Sequence, residues 1–409
     1  MTPQLSRRAV DAPASPIRRL VPHADAARSR GIYVHHLNIG QPDISTSSTM
    51  RAAYRAYSEE VVAYSPSQGT ASLRSALASY CATNQLHGAM PPVTADQILV
   101  TVGGSEALLF AVAAACDPGD AILVAEPYYT NYHGFAHLLG CGVVPMVTSA
   151  AEGFAVRAER VAAALASNPQ IRAFVVPSPG NPTGAVLSHD DLVAIGGICK
   201  MFGVFFVVDE VYREFVYRDD LRGGVAPSVL AVPGLEQVAV VIDSVSKRYS
   251  ACGARVGCLV TRNPAFYAAC LKFAQARLSP PTVDQFAAEA AVRTPAAEML
   301  ANIAAYRARR DVVVTGLNAI EGVSCPQPDG AFYLVADLPV VDAEAFCRFL
   351  LGEFDLDGET VMLAPAEGFY STPGAGRHQV RVAYVLDIPA LRRCLVILAA
   401  ALKAWAARG

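Results

Sequence analysis

Asp243-Ser-Val-Ser-Lys-Arg-Tyr-Ser-Ala-Cys-Gly-Ala-Arg-Val-Gly257 lies between two apolar runs, Val238–Ile242 and Val256–Thr261. Both runs read as strands, so Lys247 sits just past a strand end, among small hydroxylated residues. An isolated Lys is ordinarily a solvated surface charge; one placed at a strand end in a ligand crevice is a candidate to form an imine. Arg255, between glycines, is placed to clamp an anion near it.

Working outward, further short apolar runs read as strands: Ile98–Thr101, Ala121–Ala125, Arg172–Val176 and Val204–Val208. Between them lie Ala/Leu-rich stretches with helical spacing, such as Glu106–Cys116 and His189–Met201. Alternation of this kind predicts an α/β fold with a mostly parallel sheet flanked by helices. Ligands on such sheets bind outside the carboxyl ends of the strands. After about Ala287 the pattern changes. Ala297–Leu317 reads as one long helix, followed by strands at Ala331–Val335, Thr360–Leu363 and Gln379–Ala383 and a final helix from Pro389. The expected organisation is an N-terminal arm over 1–44 that joins the small domain, a large domain over 45–286, and a smaller α+β domain over 287–409.

The other strand ends carry polar and Gly-rich motifs. In Val100-Thr-Val-Gly-Gly-Ser-Glu-Ala-Leu108 a strand, a tight turn and a helix follow one another. A helix N-terminus offers free N–H groups and partial positive charge to a phosphate. Taken alone, this is an ordinary strand–turn–helix corner. Pro177-Ser-Pro-Gly-Asn-Pro-Thr-Gly184 is a rigid loop that can present the Asn181 amide. Asp209, in Val207-Val-Asp-Glu-Val-Tyr212, ends an apolar strand, so its carboxylate is expected to be buried beside a cationic partner.

Composition narrows the function classes. The 409 residues are 53% hydrophobic and 17% charged, enough for a large core and more than one domain. A net charge of −3 gives no reason to expect a nucleic-acid partner. No apolar run approaches the roughly 18 residues of a membrane span; Leu108–Cys116 and Cys394–Leu402 read as buried helix segments. Ten scattered cysteines without a CxxC pair argue against a metal or disulfide framework and fit a reducing, cytoplasmic setting. The first 30 residues are rich in Arg, Ala and Ser, as in some targeting peptides. Apolar residues and Pro recurring through Ser15–Leu20 point instead to an ordered arm.

Gly-Gly-Ser-Glu106, Pro-Tyr-Tyr129, Asn181-Pro-Thr-Gly184, Asp209-Glu-Val-Tyr212, Ser-Val-Ser-Lys247, Gly-Ala-Arg255-Val-Gly257 and a late Arg381 occur in this order. Together they resemble the pyridoxal-phosphate (PLP) aminotransferases of fold type I, class I/II, the aspartate-aminotransferase-like group. The resemblance runs from Gly40-Gln-Pro-Asp43 to Arg381. It implies that Lys247 holds the cofactor as a Schiff base and that Asp209 pairs with its pyridine nitrogen. Tyr212 and Asn181 would donate to the phenolic oxygen. Gly104, Ser105, Ser244 and Arg255, with Ser246 assisting, would surround the phosphate, and Glu106 would be among the residues that bind the cofactor. Tyr129 would stack on the ring, and Tyr64 would reach the phosphate of a neighbouring subunit, implying a homodimer. Arg381, with Gly40 and Asn181, would hold the substrate α-carboxylate.

The implied activity is transfer of an amino group between an L-amino acid and a 2-oxo acid, with 2-oxoglutarate/glutamate as one pair. The alternative on the same fold is a PLP lyase or elimination enzyme, either a C–S lyase or one like aminocyclopropane-carboxylate synthase. A non-catalytic PLP-binding regulator would need a DNA-binding domain ahead of the fold, and the roughly forty residues before Gly40 are too few. Related bacterial aspartate enzymes often carry a Lys where Ser105 stands, which binds the distal carboxylate. Its absence speaks against a dicarboxylic substrate unless Arg277, or the Tyr33/His35/His36 group, takes that role. A hydrophobic or unusual amino acid stays open.

Overall fold

The computed structural model describes residues 3–84, 86, 88–221 and 224–408. Twelve strands occur among them: β1 Tyr33–His36, β2 Ile98–Val102, β3 Ala121–Glu126, β4 Gly142–Val147, β5 Ile171–Pro177, β6 Phe205–Asp209, β7 Ala239–Ser244, β8 Val256–Thr261, β9 Tyr333–Asp337, β10 Glu359–Met362, β11 Ala364–Pro365 and β12 Gln379–Ala383.

Seven of these form the main sheet in the order β2-β8-β7-β6-β5-β3-β4. All adjacent pairs are parallel except those of β8, which runs antiparallel to both β2 and β7. The sheet is therefore mostly parallel, as the alternation predicts. Strand side chains point alternately to opposite faces. Leu99, Ile122, Val175, Val207, Val240 and Leu259 enter one core. Their neighbours Val100, Leu123, Val176, Val208, Val241 and Val260 enter the other. Both faces are covered, which is why these strands are Val/Ile/Leu-rich along their whole length.

The edge strand β4 was not apparent from the sequence. Pro145 breaks its pattern, and the strand is only half-buried. An edge tolerates a residue without an N–H, because one side of the strand has no partner to receive it.

A third core gathers the C-terminal elements around β9, β10 and β12 and the helices Ala296–Asn318, Ala343–Gly352 and Ile388–Ala406. The N-terminal segment contributes Leu20, Ala24, Ala27, Val34 and Leu37 to it. β1 pairs in parallel with β10, in register Tyr33 to Glu359. The strand expected at Ala331 begins two residues later. Ala331 has φ 57° and its N–H donates to the Phe215 carbonyl (2.8 Å), so the ladder starts beyond it.

Helix ends follow local chemistry. Ser188 and Asp191 form a reciprocal capping box before His189–Phe202, and Gly203 closes that helix in the left-handed conformation. Among the described residues no helix is long and apolar enough to cross a membrane. All ten cysteines are unbridged.

Candidate active site

A cavity of about 590 Å³ opens between the carboxyl ends of the main sheet and the C-terminal elements. The topology explains how distant residues meet there. β6 ends at Asp209, β7 at Ser244, and β2 runs into the helix Gly103–Ala115 at the same edge. Because β8 is antiparallel, its beginning lies at that edge, which brings Arg255 to Gly103. A Cβ on Gly103 would stand 2.3 Å from an Arg255 nitrogen, so this approach needs glycine. Arg255 itself has φ 54°.

Lys247 lies in the short helix Val245–Arg248. Its Nζ donates to the Gly40 carbonyl at 2.9 Å and contacts Cys252 Sγ at 3.4 Å. Arg248 anchors the helix from behind. It is buried and bound to Glu214 at 2.6 Å and Asp243 at 2.7 Å, while Arg213 pairs with Glu210 at 2.6 Å. Tyr80 also donates to Glu214. Burial pushes the Glu214 carboxyl up to about 6.

Asp209 is buried. Its carboxylate accepts from the Tyr132 hydroxyl at 3.0 Å and from the Val211 N–H at 3.4 Å. The cationic partner expected from the sequence is not found among the described residues. Desolvation consequently raises the carboxyl to about 6.

Arg381, on β12, is the second buried charge of the cavity. It donates to the Asn181 side-chain oxygen at 3.2 Å and to the Asn38 carbonyl. Its guanidinium lies over the rings of Tyr333 and Phe369, 4.6 and 5.0 Å from their centroids. Burial lowers its pKa, and Nε has no partner among the described residues. A buried guanidinium without a carboxylate is poised to receive one.

Tyr212 is buried, with its hydroxyl 3.0 Å from that of Tyr333, and burial drives its pKa well above the usual value. Asn181 uses its amide oxygen on Arg381, which leaves its N–H₂ to donate. Tyr129 lines the cavity, packs edge-on to Tyr132 and accepts from Asn131 at 2.8 Å; burial raises it to about 12. At the far end Gly104 and Ser105 lie at a helix N-terminus, beside Ser244 and Ser246, whose hydroxyls are 2.8 Å apart. Arg255 there donates to the Cys252 carbonyl at 2.9 Å and has no carboxylate partner among the described residues.

Thus Gly40, Gly104, Ser105, Tyr129, Asn181, Asp209, Tyr212, Ser244, Ser246, Lys247, Arg255 and Arg381 meet in one cavity. Glu106 does not. Its carboxylate accepts from the Val102 N–H at 2.8 Å and from Arg277 at 3.1 Å, so its side chain is turned to the corner of the helix rather than into the cavity. Arg277 is occupied by Glu106 and by the Ser67 and Val100 carbonyls, and does not line the cavity. The Tyr33/His35/His36 group lies in β1, where His35 meets Glu359 at 2.6 Å, also outside the cavity. Tyr64 is 81% exposed and lies outside its own chain's cavity.

Several residues of the site escaped sequence reasoning: Tyr132, Tyr333, Cys252 and Arg18. The repeated Tyr after Pro127 was a usable signal for Tyr132. Tyr333 had none, since it sits in an apolar strand far along the chain. Its hydroxyl explains Gly40: a Cβ there would fall 1.6 Å from it.

Pyridoxal phosphate fits these residues on three counts. Arg255, without a carboxylate partner among the described residues, together with helix N–H groups and the hydroxyls of Ser105, Ser244 and Ser246, suits its phosphate. An uncompensated buried Asp209 suits a cationic ring nitrogen. Lys247 stands between them on the same sheet edge.

Comparison with known proteins agrees. Residues 34–383 match the family described as aminotransferase class I and II. A putative aminotransferase of Bacillus subtilis is 30% identical over 88% of this chain and 89% of its own. An aspartate/prephenate aminotransferase of Thermus thermophilus is 33% identical over 76% of this chain and 78% of its own. The solved structure of the Thermus thermophilus aspartate aminotransferase with maleate superposes with a TM-score of 0.86 at 29% identity, covering 98% of this chain and 100% of that one. The chain therefore belongs to the class I and II aminotransferases, the pyridoxal-phosphate-dependent transaminases of fold type I.

Proposed function

We propose that Lys247 holds the cofactor as a Schiff base and that the enzyme moves an amino group between an L-amino acid and a 2-oxo acid, with 2-oxoglutarate/glutamate as one pair. The observation that carries this reading is the convergence of Lys247, an uncompensated Asp209 and a carboxylate-free Arg381 on one cavity.

When bound, pyridoxal phosphate supplies an electron sink for negative charge at the substrate α-carbon. The residues of the chain do the rest. Arg381 grips the substrate α-carboxylate with its planar fork, helped by Asn181 and by the backbone at Gly40. Asp209, held by Tyr132, would keep a positive charge on the ring nitrogen. Tyr212 and Asn181 would donate to the phenolic oxygen. Tyr129 would pack against the ring. Gly104, Ser105, Ser244, Ser246 and Arg255 would hold the phosphate. Lys247, with its amine free, would take the α-proton as a positioned base.

The arrangement is read as two compact units, a large one over 45–286 and a small one over 287–409 joined by the arm 1–44, with the cavity between them. A homodimer is part of the proposal. Tyr64 is fully displayed next to exposed Val61 and Val62, which supports a role across a subunit boundary. The ten unbridged cysteines favour a reducing, cytoplasmic setting.

The test is incubation of the holoenzyme with a panel of amino acids, with and without 2-oxoglutarate. Glutamate formation supports transamination. Pyruvate and ammonia released without use of the acceptor would replace it with elimination chemistry.

A further inference from the structure

Glu126 ends β3 with its side chain fully buried and, among the described residues, with no cationic partner. A buried carboxylate without a cation needs hydrogen-bond donors. Those it has among the described residues all come from one short segment late in the chain. The Ser371 and Thr372 N–H groups donate to one carboxylate oxygen at 2.9 and 3.2 Å, and the Thr372 hydroxyl donates to the other. Just beyond Glu126, the Tyr128 N–H donates to the Phe369 carbonyl at 2.9 Å, and the Tyr128 hydroxyl lies 2.5 Å from that of Ser371. The end of β3 thus holds segment 369–372 by backbone and side chains alike.

The same segment reaches the substrate end of the cavity. Phe369 is fully buried, and its ring lies 5.0 Å from the Arg381 guanidinium. Gln379, which opens β12, ties the segment from that side. Its carbonyl accepts from the Ala366 N–H at 2.9 Å, and its side-chain oxygen accepts from the Tyr370 hydroxyl at 2.6 Å. From the arm, Pro16 packs so closely on Gly368 that a Cβ there would stand 2.4 Å from the proline, and Ile17 packs on the cluster of Ala364, Ala366 and Phe369.

We propose that Glu126 is a positioning residue for the substrate: it latches segment 369–372 to the main sheet, fixes Phe369 under Arg381, and so keeps the guanidinium placed for the α-carboxylate. The proposal rests on the assignment of that carboxylate to Arg381. Geometry leads to it. The guanidinium lies over two rings, those of Tyr333 and Phe369, so their positions help to decide its own. Tyr333 is fixed by its strand, β9. Phe369 lies in the short turn Glu367–Phe369 and depends on the anchors of its segment. An apolar side chain at 126 takes the acceptor away from both N–H groups and from the Thr372 hydroxyl. Gln keeps the latch, because its carbonyl oxygen can accept from both N–H groups and its amide can donate to the Thr372 hydroxyl oxygen.

The test uses the holoenzyme and the variants Glu126→Met, Glu126→Gln and Thr372→Val. Titration calorimetry measures the affinity for butyrate, which carries a carboxylate and no amine to react. Glu126→Met weakens butyrate binding roughly tenfold or more, Thr372→Val roughly three- to fivefold, and Glu126→Gln by no more than about twofold. Cofactor affinity stays within about threefold of wild type in all of them. Glu126→Met decides where it folds; where it does not, Thr372→Val decides. Butyrate affinity within about twofold of wild type in the deciding variant would overturn the proposal. So would a Glu126→Gln loss as large as that of the deciding variant, or a loss of cofactor affinity with butyrate binding unchanged, the mark of a purely structural role. Arg381→Lys is measured alongside. If it leaves butyrate affinity unchanged, the carboxylate assignment fails and takes the proposal with it. If it weakens binding while the deciding variant does not, the latch alone is refuted.

Discussion

Replacing Asp209 with Asn separates the cost of its charge from the use of that charge. Asn keeps the shape and an oxygen that can accept from Tyr132, now 3.0 Å away. In the protein without cofactor, burial moves the Asp209 carboxyl from 3.8 to about 6. That corresponds to about 3 kcal/mol of disfavoured ionisation. The sign follows from linkage. A folded pKa above the unfolded one favours the fold at low pH, and that support is lost as pH rises from 3.8 through about 6. At pH 8 the cofactor-free Asp209→Asn protein is therefore expected to be more stable than wild type by up to about 3 kcal/mol, with about half of that advantage gone by pH 5. With cofactor bound, the order reverses in function. The cation facing Asp209 must return at least the cost of ionising it, so kcat/KM falls roughly 100-fold or more in the variant. Chemical denaturation of the cofactor-free proteins from pH 5 to 8 and steady-state kinetics of the holoenzymes measure both arms. A variant less stable than wild type at pH 8, by an amount that does not change with pH, would refute the reasoning about burial. Activity within about tenfold of wild type would refute the pairing with the ring nitrogen.

Arg381→Lys keeps the charge but loses the fork; kcat/KM should drop by about one to two orders of magnitude for every amino donor, whatever its side chain. Arg248→Met strands Asp243 and Glu214 in the core behind Lys247, and should lower unfolding stability by about 3–5 kcal/mol, read as a shift in denaturant midpoint at unchanged slope.

Much of this was legible in the sequence, because buried parallel strands and the turns that follow them leave strong local signals. β8 matches its expected run residue for residue, and β2, β3, β5 and β6 differ by a residue or two at their ends. Lys247, Asp209, Asn181 and Arg255 were readable since each sits beside a glycine, proline or strand end that marks its place. What escaped depends on tertiary contact. β4 hides behind Pro145, and β1 behind two histidines, of which His35 is buried where the strand pairs with β10. Tyr333 reaches the cavity only because β9 packs across from the main sheet. Glu106 and Arg277 looked available to ligands, yet they close a corner by binding each other. Arg18 became visible only once the turn around Pro16 and Ile17 was seen to dock.

The most direct test of the central assignment is borohydride reduction of the holoenzyme, followed by proteolysis and mass spectrometry. The expected result is loss of the visible absorbance band with one reduced cofactor fixed to the peptide containing Lys247. Cofactor found on another residue, or no residue labelled at all, would contradict it.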